Sequence, residues 1–128
     1  MHRYLNPADI QKSANFSQGV EVTTPLRWLS IAGQVARDQN GAIPEGIEAQ
    51  AEQTWSNVFA VLKEAGMDAH DLVEVNVYLI NRADNAGFDK IRSKFLGTAK
   101  PASTKIYISG LSDPRLLCEV QARAAKAL

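Results

Sequence analysis

The stretch "LVEVNVYLI", residues 72–80, decides the fold because its side chains alternate between two faces. A period of two is typical of a β-strand that buries one face in a core. One face is purely aliphatic, whereas the other mixes polar and apolar side chains. The two sets are Val73, Val75, Val77 and Leu79, and Glu74, Asn76, Tyr78 and Ile80.

Helical patterns flank this strand on both sides. Residues 46–65 and, more briefly, residues 84–96 carry apolar side chains at steps of three and four, which predicts two amphipathic helices. Gly66 is placed to end the first helix. The apolar positions are Ile47, Ala51, Trp55, Val58, Leu62 and Ala65, and then Phe88, Ile91 and Phe95.

Further strands are predicted for residues 20–23, 28–36, 104–109 and 117–124. The order of strands and helices predicts a single α+β domain over residues 1–128, in which two helices cover one face of a single mixed sheet. In the last two strands the predicted core side chains are Ile106, Ile108, Cys118, Val120, Ala122 and Ala124.

The opposite face of this sheet keeps apolar groups that two helices cannot cover. Trp28, Tyr78, Ile80 and Tyr107 are predicted to lie there among polar side chains. Because a monomer seldom exposes so much apolar surface in one patch, self-association is the simplest cover. The alternative is a solvated face with scattered aromatic side chains.

Charge and composition argue against several classes of protein. Fourteen basic residues balance fourteen acidic ones, so we do not expect nucleic acid as a partner. The apolar runs are short and the amino-terminal sequence does not resemble a signal peptide, so we expect a cytoplasmic protein with no membrane partner. Cys118 falls on an apolar strand face, which predicts an inert buried thiol, and no cysteine and histidine spacing suggests a metal site.

Six stretches, taken in order, resemble the RidA/YjgF family, also called the endoribonuclease L-PSP family. They span nearly the whole chain and agree with the predicted helices and strands. The stretches are "NFSQGV" at 15–20, "AGQVARDQNG" at 32–41, "QAEQTWSNVFAVLKEAG" at 50–66, "VEVNVYLINRADNAGFDKIRSKFLG" at 73–97, "KPAST" at 100–104 and "EVQARA" at 119–124.

This resemblance implies a chorismate-mutase-like α+β fold assembled as a homotrimer. In such a trimer the uncovered sheet faces meet in a central barrel, and a small pocket lies at each subunit interface. In the active branch of the family that pocket hydrolyses reactive enamines and imines to 2-oxo acids and ammonia. The resemblance therefore implies a small-molecule ligand, identical subunits as partners, and no cofactor.

The chain departs from the family pattern at positions that carry this chemistry. Active members place an arginine directly after the "PA" of "KPAST", where this chain has Ser103. They carry a glutamate at the second acid of "E-x-E-A", where this chain has Gln121, although the first acid is kept as Glu119. A tyrosine common before "SQ" is Phe16, and a serine common before "GQ" is Ala32.

Strand alternation predicts that Ser103, Lys105, Glu119 and Gln121 share the side of the sheet turned from the helices, where they would face the pocket. Lys105 is the expected cation for a substrate carboxylate, although a plain surface lysine or a cross-strand partner of Glu119 would also explain it. The catalytic candidates are Lys105, Glu119 and Gln121. The substrate-binding candidates are Phe16, Ala32, Gln34, Ser103, Lys105 and Gln121.

For five other polar residues, the sequence does not decide between contact with a ligand and a structural role. Gln34 and Asn57 could contact a ligand or hold a loop, and structural hydrogen bonds are the simpler interpretation. Arg37 and Arg115 occupy predicted loops and could reach a neighbouring subunit's pocket or be solvated. Asp89 receives no role.

Three functions compete. The changed residues favour a trimeric protein that uses the pocket for another small molecule, bearing a carboxylate, carbonyl or imine group. The second candidate is a 2-iminobutanoate/2-iminopropanoate deaminase, the activity of the family's active branch. A ribonuclease or translation inhibitor comes last, because RNA cleavage needs a basic face and acid-base groups that this neutral chain does not display.

Overall fold

The computed structural model describes residues 2–11, 13–23 and 26–128. None of the helices in the described part of the chain is long and apolar enough to cross a membrane. In chain order the strands and α-helices of these residues are β1 (His2–Leu5), β2 (Gly19–Val22), β3 (Leu26–Val35), α1 (Ile47–Glu64), β4 (Leu72–Leu79), α2 (Asn85–Leu96), β5 (Ala102–Tyr107) and β6 (Cys118–Ala127).

The main sheet has four strands in the order β3-β6-β4-β5, so β3 and β5 are its edges. Both β3 and β4 pair antiparallel with β6, whereas β4 and β5 run parallel and are joined through α2. Such a crossover is required because the chain must return to the same end of the sheet. The mixed sheet with its two helices confirms the predicted α+β class. β2, however, pairs outside this sheet with β1, a strand that the sequence pattern did not predict.

The hydrophobic core lies between the two helices and one face of the main sheet. Trp55 of α1 is at its centre and contacts the rings of Phe88 and Phe95, with ring centroids 6.2 and 6.5 Å away. The alternation of β4 is confirmed for Val75 and Val77, which are fully buried against this layer. At the start of the strand the prediction is wrong, because the pairing with β6 shifts its register there and Leu72 is buried instead of Val73. The other fully buried core residues include Ala51, Val58, Leu62, Leu79, Cys118, Val120 and Ala124.

The end of α1 depends on a glycine. Gly66 has a φ of 71°, a left-handed conformation that other residues avoid. This turn lets the Met67 N–H donate to the Leu62 carbonyl at 2.8 Å, which satisfies one of the last carbonyls of the helix. The predicted stop at Gly66 is confirmed, and it directs the chain toward β4.

β5 faces the opposite way from the prediction. In the parallel register Lys105 pairs with the buried Val77, so Lys105 and Ser103, two residues before it, lie on the helix side of the sheet. Ile106 pairs instead with Tyr78 on the outer face and is 45% exposed. The prediction that Ile106 faces the core is therefore wrong. So is the prediction that Ser103 and Lys105 are turned from the helices.

The outer face of the sheet retains a smaller apolar patch than predicted. Trp28 on β3 is 57% exposed, and Ile106 lies there beside the half-buried Tyr78. Tyr107 is absent from this face because the register of β5 turns it toward the helices, where it packs against the core. The Arg82 guanidinium covers it, with Cζ 4.6 Å from the ring centroid.

Candidate functional site

A cavity of about 280 Å³ opens between α2, β5 and the segment that precedes β2. It lies on the helix side of β5, at the edge of the main sheet. Its wall combines apolar surface with charges of both signs. The lining includes Phe16, Leu96, Asp89, Arg92, Ser103 and Lys105.

Arg92 is the buried charge of this cavity. It follows Phe88 by four residues and precedes Leu96 by four, so it shares the stripe of α2 that faces the sheet. Arg92 is only 7% exposed. Its Nη1 donates to Ser103 Oγ over 2.9 Å, whereas Nη2, also buried, has no hydrogen-bond partner among the described residues. Burial lowers the pKa of Arg92 from its usual value, and the nearby Asp89 carboxylate partly offsets this effect.

Arg92 was not predicted from the sequence, although the pattern of α2 contained a signal. The predicted apolar stripe of that helix contains Phe88, Ile91 and Phe95. Leu96, one residue after Phe95, belongs to the same stripe. Arg92 is the polar interruption within it. A charged residue inside an apolar stripe is expected either to be partnered or to serve a site.

Lys105 lines the cavity but is already neutralised within the subunit. Its Nζ donates to Asn85 Oδ1 and Asp89 Oδ1 on α2, each at 2.6 Å, and lies 5.8 Å from the centroid of the Phe88 ring. Asp89, to which the sequence assigned no role, thus binds the lysine. The alternative pairing of Lys105 with Glu119 is wrong, because Glu119 lies on the other face of the sheet.

Glu119 and Gln121 lie on the outer face of β6, away from the cavity. They pair with Tyr78 and Asn76 of β4, and Tyr78 Oη donates to Gln121 Oε1 at 3.5 Å. The Glu119 carboxylate crosses over Gly33, where a Cβ atom would overlap it, so a larger residue at position 33 would displace this side chain. The expected group of four residues is therefore divided between the two faces.

The remaining substrate-binding candidates are also divided. Phe16 lines the cavity beside Ser103. Ala32 and Gln34 lie on β3, at the opposite edge of the sheet, where Gln34 Nε2 donates to the Ala32 carbonyl at 3.2 Å. One subunit therefore brings Phe16, Ser103 and Lys105 together, and leaves the β3 pair remote from them.

Arg37 and Arg115 are tied to Asp113 rather than to the cavity. Arg115 donates from Nε and Nη2 to the two Asp113 carboxylate oxygens at 3.0 and 2.9 Å, and Arg37 Nη2 donates to Oδ2 at 3.1 Å. These bonds, led by those of Arg115, hold the pKa of Asp113 well below its usual range. Asn57 Nδ2 donates to the carbonyls of Val35 and Arg37, both at 3.0 Å, which confirms its structural interpretation.

Cys118 has the predicted environment of a buried thiol. It is fully buried, its Sγ lies 3.5 Å from Thr54 Oγ1, and desolvation raises its pKa to about 11. A thiol that stays protonated at neutral pH is a poor nucleophile. Among the described residues, no group of three or more His, Cys, Asp and Glu is placed to hold a metal ion.

Comparison with known proteins agrees with this fold. The chain is 34% identical over 113 residues to a RutC family protein of Pyrococcus abyssi. The aligned region covers 87% of this chain and 86% of that protein. It is 29% identical over 98 residues to a mouse 2-iminobutanoate/2-iminopropanoate deaminase, with 75% of this chain and 70% of that protein covered.

A solved structure shows the same architecture. YyfB from Yersinia pestis, described as a protein of unknown function of the conserved Rid protein family, superposes with a TM-score of 0.86 and 33% identity over 96% of this chain and 97% of that one. A family model described as endoribonuclease L-PSP matches residues 7–126. The fold and the matches over nearly the whole length show that this chain belongs to the RidA/YjgF family, also called the endoribonuclease L-PSP family.

Proposed function

We propose that the protein is a homotrimer whose intersubunit pocket binds a small metabolite with a carboxylate group, and that it has little imine deaminase activity. This proposal rests on the separation of the candidate substrate-binding residues between the two edges of the sheet. Ser103 lies at one edge of the sheet and Ala32 at the other, and the edges of a four-stranded sheet are about 14 Å apart. A second copy docked against the first would bring the two half-sites together.

The cavity itself supports a small anionic ligand. Its volume of about 280 Å³ lies at the lower end of the range of ligand pockets, so it suits a metabolite of a few carbon atoms. Phe16 and Leu96 supply apolar wall, and the Arg92 guanidinium supplies positive charge. A carboxylate on a short carbon chain matches both features.

The candidate catalytic residues argue against efficient deamination. Hydrolysis of an imine needs a group that takes a proton from water, and the amide of Gln121 cannot do so. The cavity carboxylate of Asp89 already accepts a hydrogen bond from the Lys105 ammonium at 2.6 Å, so this oxygen is occupied by the lysine rather than by water. The residues therefore support binding better than turnover.

Binding and turnover are separated by two measurements on the purified protein. Calorimetric titration with 2-oxobutanoate should show saturable binding. Release of 2-oxo acid from freshly generated 2-aminoacrylate should be at least about 100-fold slower than for a family member with arginine after "PA", because transition-state contacts are missing. Comparable turnover would instead establish the second candidate, the imine deaminase.

The deaminase remains the second candidate because of the 29% identity to the mouse enzyme. The double variant Ser103→Arg with Gln121→Glu restores the family residues and should raise turnover of 2-aminoacrylate if only those groups are missing. Ribonuclease activity, suggested by the name of the family model, ranks last. A gel shift with RNA at low salt should show no complex, because the chain has no net charge.

A further inference from the structure

The Arg92 side chain reaches strand position 103 from the opposite wall of the cavity. Residue 103 is a serine, yet its hydroxyl accepts a hydrogen bond at 2.9 Å from a guanidinium that arrives from α2. The cavity therefore contains an arginine head group beside position 103, although the arginine belongs to a different element of the fold.

One donor of this guanidinium lacks a partner. Arg92 is 7% exposed and lines the cavity, and its buried Nη2 has no hydrogen-bond partner among the described residues. A buried donor of a charged group without an acceptor destabilises a fold unless something satisfies it. A carboxylate oxygen in the cavity would do so through a charge-assisted hydrogen bond.

The other cations of the cavity are less suitable. The Lys105 ammonium already has two acceptors at 2.6 Å, Asn85 Oδ1 and Asp89 Oδ1. Lys100 is exposed, so water competes for its charge. Arg92 is thus the buried cation with an unused donor among the described lining residues.

We infer that Arg92 is the carboxylate-binding residue of this cavity, with Ser103 positioning its guanidinium. The ligand is a small carboxylate whose carbon chain packs against Phe16 and Leu96. Arg92 takes this role in place of Lys105, the candidate predicted from the sequence. The inference rests on the proposed function, in which the pocket takes a small carboxylate.

Four proteins titrated with 2-oxobutanoate by calorimetry test the inference: the wild type, Arg92→Met, Arg92→Lys and Lys94→Met. Arg92→Met should weaken affinity at least about tenfold, and Arg92→Lys should recover part of this loss as a point charge. Lys94→Met is the matched control, because it removes one charge from the same helix at an exposed side chain paired with Glu52. Its affinity should equal that of the wild type.

Thermal unfolding separates binding from a structural role. Without ligand, Arg92→Met should melt no lower than the wild type, because it removes a desolvated charge with an unsatisfied donor. The same concentration of 2-oxobutanoate should raise the Tm of the wild type by more than that of Arg92→Met. A lowered ligand-free Tm with unchanged affinity would show a structural arginine and overturn the inference.

The outcomes also distinguish the inference from the proposed function. Unchanged affinity in both Arg92 variants overturns the inference alone. Absence of 2-oxobutanoate binding by the wild type overturns the proposed function as well. A parallel titration with inorganic phosphate should give weaker binding than 2-oxobutanoate, since phosphate gains nothing from the apolar wall, and tighter phosphate binding would overturn the assignment to carboxylates.

Discussion

Lys105 joins β5 to α2 through two short hydrogen bonds, to Asn85 Oδ1 and Asp89 Oδ1. The lysine side chain is 22% exposed, so this pair is better shielded from water than a surface ion pair. A charged residue is tolerated on the helix side of β5 because α2 offers its ammonium two acceptors. Lys105 therefore stabilises the wall of the cavity.

Lys105→Met should lower the free energy of unfolding by about 1 to 2 kcal/mol, because it leaves Asp89 without its partly buried partner. Affinity for 2-oxobutanoate should change much less than in Arg92→Met. Urea denaturation and calorimetry measure the two effects. Lys90→Met is the control, since its pair with Glu48 is exposed and should contribute less than about 1 kcal/mol. Lost affinity with unchanged stability would return the carboxylate-binding role to Lys105.

At the scale of elements, the connection between β5 and β6 is held by Asp113. Its carboxylate receives hydrogen bonds from the Arg115 side chain and from Arg37, which follows β3. These donors stabilise the ionised form and hold the pKa of Asp113 below its usual range. A group whose pKa is lowered by folding adds stability above its unfolded pKa, and this stability is lost as the pH falls toward the folded value.

Asp113→Asn should therefore lower the Tm at pH 7, and the difference from the wild type should shrink as the solution is acidified below the usual pKa range of aspartate. Melting curves from pH 7 to pH 3 measure this trend. Asp9→Asn, at an exposed aspartate outside this cluster, should show neither effect. A Tm difference between the wild type and Asp113→Asn that is the same at every pH would mean that the charge of Asp113 does not contribute to stability.

The helices and β4 could be predicted because each has one side that is mostly apolar. β5 could not be oriented in the same way, since "TKIYIS" offers Ile106 and Ile108 on one side and Lys105 with Tyr107 on the other. The parallel register with β4 decides between the two sides, and that register depends on contacts distant in sequence. For the same reason, only the fold shows that Arg92 meets Ser103.

At the scale of the whole molecule, none of the helices in the described part of the chain lies over the outer face of the sheet. Trp28, Tyr78 and Ile106 lie on this face. Burial of such side chains against identical copies removes apolar surface from water at about 25 cal/mol per Å². This gain favours the proposed trimer, in which each copy meets its neighbours through this face.

Sedimentation equilibrium at micromolar concentration should give about three times the chain mass of 14.0 kDa. Ile106→Lys should shift the mass toward the monomer, because it places a charge in the apolar contact. Ile10→Lys adds the same charge at an exposed isoleucine outside the sheet and should leave the trimer intact. A monomeric wild-type protein would contradict the proposed assembly.

The placement of the two half-sites at opposite edges of the sheet has a genetic consequence in the proposed trimer. Each pocket would take its cavity from one chain and its β3 residues from the next. A chain damaged only near Arg92 and a chain damaged only near Ala32 would each be defective alone. Coexpressed, the two would form mixed assemblies in which some pockets receive both sound halves, so two recessive alleles of one gene could complement each other.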